Sequence, residues 1–158
     1  MRMRTLALLL SLFLAAPVLP SFAADAPSYS EQAEQILNEG FKKAYEDDGT
    51  FRTPAELTQI LDQYYKKLDT LLNQTWKETR SYLKNADPQL FEQLLADQRA
   101  WLKFAESFGT AVYGGFGSGG SMYRSMGIEA SMSLWAQRIK YLDTILGYVS
   151  EVYGAPEK

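Results

Sequence analysis

The sequence predicts an all-α protein, an antiparallel bundle of about four helices. Apolar residues recur every three or four positions over long segments, which is typical of a helix with one buried face. No segment shows the alternation of apolar and polar residues that is typical of a half-buried strand. Short segments containing proline, glycine or aspartate separate the apolar ones, and short connections favour antiparallel neighbours.

The first 23 residues have the pattern of a cleavable signal peptide. Arg2 and Arg4 give a basic start, residues 6–18 are apolar, and small residues at 21 and 23 suit a cleavage site. The apolar segment is too short for a transmembrane helix. We expect cleavage after Ala23, one helical domain over residues 24–158, and a periplasmic or secreted protein without stable membrane insertion. A retained membrane anchor is the alternative.

The first two helices begin with clear N-terminal signals. Ser28-x-x-Glu31 is a capping box, and Thr53-Pro54 places a capping threonine before a proline at the first helical position. The second helix extends to about residue 85, and its acidic residues are interpreted as a solvated face: Glu56, Asp62, Asp69 and Glu78. We expect helices two to four to form the core, because their apolar stripes are longest, and the first helix to pack late or fray.

The last two helices flank a glycine-rich segment. Asp87-Pro88 caps and begins the third helix, and the glycines from Gly114 end it. The fourth helix runs from about Ser121 to Tyr153, where Gly154 stops it.

Composition excludes several classes of function. Without Arg2 and Arg4 the chain has 14 basic and 19 acidic residues, a net charge of about −5 that argues against nucleic-acid binding and suits a basic partner. Cysteine and histidine are absent, which excludes disulfides, ordinary zinc, haem or copper sites, thiol nucleophiles and histidine bases. We expect no metal, no cofactor and no enzymatic activity. A carboxylate-based hydrolase ranks last, because no pair of acids stands out.

The glycine-rich segment is the candidate binding element. Gly115-x-Gly117-x-x-Gly120 matches the dinucleotide fingerprint in letters, but the strand and βαβ context that the fingerprint needs are absent. Five of the seven residues from Gly114 to Gly120 are glycine, more than a helix connection requires. The predicted partner-binding residues are Tyr113, Phe116, Ser118, Ser121, Tyr123 and Arg124. The alternative is a flexible connector with Phe116 packed on the end of the bundle.

Trp101 and Arg99 lie two positions apart on the third helix. Trp101 belongs to the apolar stripe and is predicted to pack in the core. Arg99 faces elsewhere and is predicted to form a structural ion pair with Glu92, Asp97 or an acid of the second helix.

Four short motifs follow one another along the chain. An asparagine precedes an aromatic residue by three, a Gln-Arg-x-Trp helix follows, then Gly-Gly-Ser, then Leu-x-x-x-Arg-x-x-x-Leu. The residues that carry these motifs are Asn73, Trp76, Gln98, Arg99, Trp101, Gly119, Gly120, Ser121, Leu134, Arg138 and Leu142. In order and spacing, over about residues 57–146, they resemble the motifs of the LprI-type lysozyme-inhibitor N-terminal domain family. The chain departs from the family in lacking cysteines, in Ala105 where an arginine is common, and in Trp135 where a threonine is common.

The resemblance implies an exported protein that binds another protein and is no enzyme. The expected partner is a lysozyme-type muramidase, typically a basic protein with an acidic catalytic cleft, blocked through the glycine-rich segment. The alternative is a periplasmic structural or secretion-accessory protein without inhibitor activity, for which Tyr141, Tyr148 and Tyr153 are the candidate exposed face.

Overall fold

The computed structural model describes residues 27–46, 49, 51–115 and 120–154, and these form four helices. They are α1 (Tyr29–Tyr45), α2 (Pro54–Ala86), α3 (Pro88–Gly115) and α4 (Ser121–Tyr153). The described part of the chain contains no strand. The all-α prediction and the helix boundaries are therefore confirmed, whereas the predicted signal peptide lies outside the described residues.

The helix ends form where the capping signals predict them. Ser28 and Thr53 each cap a helix through a complete capping box, with Glu31 and Glu56 bonding back to the cap. Asp87 ends α2, and its carboxylate accepts a hydrogen bond of 2.9 Å from the Leu90 amide in the first turn of α3. A single residue thus reverses the chain between two long helices.

The centre of the bundle is a parallel pair, α2 and α4. Trp135 donates to Asp69 near the middle of the two helices, and Tyr153 donates to Asp87 at their carboxyl ends. Both pairs are 66 residues apart in sequence. Because the offset is constant, α2 and α4 run side by side in the same direction.

Helices α1 and α3 run antiparallel to this central pair and lie on opposite sides of it. Ser30 bonds Asp143, whereas Tyr45 at the other end of α1 bonds Glu129. The residue numbers of the partners on α4 thus fall as those on α1 rise, so the two helices are antiparallel. Both α1 and α3 contact the central pair, and no contact joins α1 to α3 within their described residues. We call the end with the amino termini of α2 and α4 the loop end of the bundle.

The most deeply buried side chains lie between α2 and α4. Leu61 and Leu68 of α2 and Met132, Ile139 and Leu142 of α4 are each 0% exposed. Burial of one such side chain contributes about 1.5–3 kcal/mol before the loss of conformational entropy is counted. The central pair therefore supplies most of the hydrophobic stabilisation.

The expectation that α1 frays is wrong. Ala33, Gly40 and Ala44 of α1 are buried, so the helix lies close against both central helices. Tyr29 and Tyr45 donate hydrogen bonds from its two ends to Glu78 and Glu129. The apolar stripe of α1 looked weak in sequence because the residues that permit close approach are small.

The close approach of α1 predicts a strong effect of one methyl group. A Cβ at Gly40 would lie 2.9 Å from both Met132 Cε and Tyr64 Cβ. We expect Gly40→Ala to lower the free energy of unfolding by about 1–3 kcal/mol through overpacking. Gly147→Ala is the matched control, because nothing lies within 4 Å of its added Cβ, and it should gain about 0.5–1 kcal/mol. Urea denaturation measures both, and equal stability of the two variants would contradict this packing.

The tyrosines of α1 predict a loss of stability in alkaline solution. Burial, followed by the hydrogen bond and charge of the facing carboxylate, raises the pKa of Tyr29 and of Tyr45 from 10.0 to about 12. A raised pKa favours the neutral phenol in the folded state, so this contribution is complete below about pH 10 and is lost as the pH rises toward 12.

We expect the urea midpoint of the wild type to fall more steeply over that range than that of Tyr29→Phe/Tyr45→Phe. Tyr148→Phe, whose residue is 67% exposed, is the control that should keep the wild-type slope. Identical slopes for the wild type and the double variant would refute the assignment.

Candidate functional site

A buried arginine joins α4 to α3. Arg138 is 6% exposed, and its Nε and Nη2 donate to Gln98 Oε1 at 2.9 and 2.7 Å. Nη2 also donates to Asp97 Oδ2 at 2.6 Å. Because charge-assisted hydrogen bonds offset the cost of burying a guanidinium, these contacts fix the register of α3 against α4.

Aromatic rings extend this contact across three helices. The Arg138 guanidinium lies 5.3 Å from the Trp101 ring centroid and 4.6 Å from that of Tyr141. Trp101 meets Trp135 edge to face at 5.1 Å, and Trp135 meets Tyr65 of α2 at 5.1 Å. We call Arg138, Gln98, Trp101, Trp135 and Tyr65 the clamp, since they connect α3 to both central helices.

Some of the predicted motif residues meet in the clamp, and the others lie elsewhere in the bundle. Gln98, Trp101 and Arg138 meet in the clamp, and Trp101 packs against the core as predicted. Gly120 caps α4 with a φ of +93°, a conformation that favours glycine. Asn73 is exposed and bonds the Asp69 carbonyl of its own helix, and Trp76 packs beside the core. Gly119 lies outside the described residues.

The predicted ion pair of Arg99 is wrong. Arg99 is exposed, and it forms no salt bridge with any residue that the structure describes. Its expected partner Asp97 binds Arg138 instead, at 2.6 Å. The pairing of Gln98 with Arg138 was missed, although both belong to the family motifs that the sequence displays.

The interpretation of the acids of α2 as a solvated face is also wrong for two residues. Asp69 accepts a hydrogen bond of 3.0 Å from the Trp135 indole, and Glu78 accepts one from the Tyr29 hydroxyl. Both acids are half-buried. Helical spacing placed them on one face but did not show that neighbouring helices cover it.

An open cleft of about 730 Å³ lies between α3 and the central pair. Its walls come from all three helices: Asp62, Tyr65, Leu102, Glu106, Arg124 and Trp135. A smaller groove of about 370 Å³ adjoins it and shares Asp62 and Arg124. Sequence periodicity did not predict this cleft, because it identifies the side chains that fill a core and not the places that are left open.

The glycine-rich segment adjoins the same end of the bundle. Of its predicted binding residues, Arg124 lines the cleft and is exposed, and Tyr123 is 38% exposed. Phe116 and Ser118 lie outside the described residues, as do the side chains of Tyr113 and Ser121. A helix rather than a strand leads into the segment, which agrees with the exclusion of a dinucleotide site.

The described residues offer neither a metal site nor a membrane-spanning helix. No group of three or more acids, within those residues, could hold a metal ion. None of the helices over residues 29–153 is long and apolar enough to cross a bilayer.

The fold and the clamp define a small all-helical protein with an open cleft at one end. The family model described as "Lysozyme inhibitor LprI" matches residues 46–142, more than half of the chain, and the protein belongs to this family. The matched range contains the whole clamp and every wall residue of the cleft. No curated protein and no solved structure matches the chain.

The clamp predicts unequal effects of two neighbouring arginines. Arg138→Met removes the N–H groups that donate to the buried Gln98 Oε1 and leaves this oxygen without a partner. We expect a loss of about 2–5 kcal/mol in the free energy of unfolding. Arg99→Met, on the exposed face, should change it by less than about 0.5 kcal/mol.

Adding Gln98→Leu to Arg138→Met tests the cause of that loss. The double variant should lose less than the sum of the single variants, because it removes the unsatisfied amide. Urea denaturation of all four proteins supplies the cycle, and strict additivity would show that Gln98 and Arg138 are not coupled.

Proposed function

We propose that this protein is an exported inhibitor of a lysozyme-type muramidase, and that it binds the enzyme with the loop end of its bundle. Membership of the LprI lysozyme inhibitor family is the observation that carries the proposal. Export rests on the signal-peptide pattern of residues 1–23.

The composition of the loop end supports its assignment as the contact surface. Tyr123 is 38% exposed and Leu102 is 49% exposed, and Leu102 and the exposed Arg124 both line the cleft. Tyrosine and arginine are enriched at the centres of protein interfaces, where they supply most of the binding energy. The glycine-rich segment joins the two helices that carry these residues.

Charge favours an encounter with such an enzyme. The chain without its leader has a net charge of about −5, whereas lysozymes are typically basic. Opposite net charges raise the association rate at low ionic strength.

We propose that the loop end of the bundle inhibits the lysozyme by blocking the catalytic cleft of the enzyme. Glycoside hydrolysis by lysozyme depends on two carboxyl groups in that cleft. Arg124 forms no ion pair with the described residues, so its guanidinium is available to bind a carboxylate in the two-pronged geometry that arginine favours.

A structural or secretion-accessory role is the second candidate, and the exposed tyrosines of α4 are the observation that favours it. Tyr148 is 67% exposed, Tyr141 45% and Tyr153 37%. However, Tyr141 covers the Arg138 guanidinium and Tyr153 bonds Asp87, so two of the three already have structural roles. Light scattering distinguishes the candidates, because a stable homo-oligomer favours this second one.

The inhibitor proposal predicts a defined loss in two variants. Residues 24–158 should slow the clearance of a peptidoglycan suspension by c-type, g-type or i-type lysozyme. Tyr123→Ala and Arg124→Ala should each weaken inhibition about tenfold, the usual effect of losing one central interface side chain. Phe116→Ala tests the glycine-rich segment in the same assay.

Tyr148→Ala is the matched control, an exposed tyrosine far from the loop end, and it should inhibit like the wild type. Absence of inhibition and of binding at about 10 μM for all three lysozyme types, far above the affinity of a specific inhibitor, would refute the proposal.

A further inference from the structure

We propose that the cleft between α3 and the central pair receives a basic side chain of the partner protein, preferably an arginine. The inference rests on the proposed function and names the chemistry of the same surface. It assigns the charge recognition to Asp62 and Glu106, and the apolar contact to Tyr65, Leu102 and Trp135.

The cleft lies where α3 carries small residues. Ala105 and Gly109 of α3 line it together with Ile128 and Ser131 of α4. Ala105, Ile128 and Ser131 are 4–6% exposed and form the floor. Protein interiors are normally close-packed, whereas a space of about 730 Å³ has the size of a ligand site.

The exposed apolar atoms at the rim of the cleft suit a partner side chain that packs over them. Leu102 lines the cleft and is 49% exposed. It nevertheless lies on the apolar stripe of α3, the face that packs against the central pair in the first half of the helix. Tyr65 and Trp135 beside it are half-buried. The stem of an arginine packs on aliphatic surface and its guanidinium stacks on aromatic rings, so these walls fit that side chain.

Charge selects a cation for this space. Among the described residues that line the cleft, carboxylates come from two helices, Asp62 on α2 and Glu106 on α3, against one cation, Arg124. Asp62 pairs with Lys66 one turn later at 2.6 Å, with side chains 44% and 71% exposed respectively. Exposed pairs of this kind add little stability, so an incoming guanidinium can replace Lys66.

Binding of small arginine compounds tests the ligand class without any lysozyme. We would titrate ¹⁵N-labelled residues 24–158 with acetyl-arginine-amide and with acetyl-citrulline-amide, its neutral isostere, to about 50 mM, a range that covers millimolar dissociation constants. The arginine compound should produce saturable shifts at the Trp135 indole and the amides of 102–109. The citrulline compound should bind at least about tenfold more weakly.

Three variants locate the charge. Glu106→Gln and Asp62→Asn should each weaken binding of the arginine compound at least about threefold, since each removes one opposite charge. Arg124→Gln should bind it as well as the wild type or better. Equal binding of citrulline, no saturable shift, or preference for acetyl-glutamate-amide with loss in Arg124→Gln would each overturn the proposal.

The lysozyme assay separates this inference from the proposed function. Inhibition that is equal for the wild type, Glu106→Gln and Asp62→Asn would overturn the arginine site and leave the inhibitor assignment intact. Binding of acetyl-arginine-amide with the expected variant effects, but without inhibition of any lysozyme, would support the site and overturn the inhibitor assignment.

Discussion

The attachment of α3 depends on one buried charge, the guanidinium of Arg138. Of the described side chains of α3, Leu94 and Ala105 are the buried apolar ones, whereas Leu102 and Phe104 remain 49% and 54% exposed. Three hydrogen bonds to Gln98 and Asp97 and two aromatic rings therefore hold a helix that hydrophobic burial holds only in part. A buried arginine is costly unless its N–H groups find acceptors, and Nε and Nη2 of Arg138 find theirs on α3, which makes this contact specific as well as attractive.

The position of the clamp also determines where the cleft opens. It engages α3 at residues 97–101, and the small residues Ala105 and Gly109 follow within two turns. Before the clamp, Phe91 and Leu94 of α3 pack against the core, whereas after it α3 lines the cleft with Leu102, Glu106 and Gly109. The clamp therefore has two roles, because the side chains that hold α3 in place also form part of the wall of the cleft.

Sequence patterns predicted the features of the fold that depend on residues close together in the chain, above all the helix boundaries. The capping boxes at Ser28 and Thr53 and the stop at Gly154 gave helix boundaries directly, because orphan backbone groups need those residue types. The role of α1 was missed because close packing through Gly40 leaves no apolar signal. The cleft was missed because a space is defined by neighbours distant in sequence, and Arg138 could be placed only once α3 and α4 were known to be adjacent.

The mixture of charges around the cleft bears on selectivity. In the proposed complex, Asp62 and Glu106 attract basic groups of the partner, and Arg124 attracts its acidic groups. A partner that offers both signs in this arrangement is therefore favoured over general adhesion to basic or acidic proteins. A basic enzyme with an acidic catalytic cleft offers such an arrangement.

The parallel arrangement of α2 and α4 has a consequence for how the molecule can be displayed. Tyr29 and Tyr153, close to the two ends of the described chain, both contact the carboxyl-terminal part of α2, at Glu78 and Asp87. Arg124 and the cleft lie at the other pole. An affinity tag, a fused domain or a sensor surface joined beyond Tyr153 therefore starts from the pole opposite the cleft. Immobilised in this way, the protein has its cleft on the side that faces away from the surface.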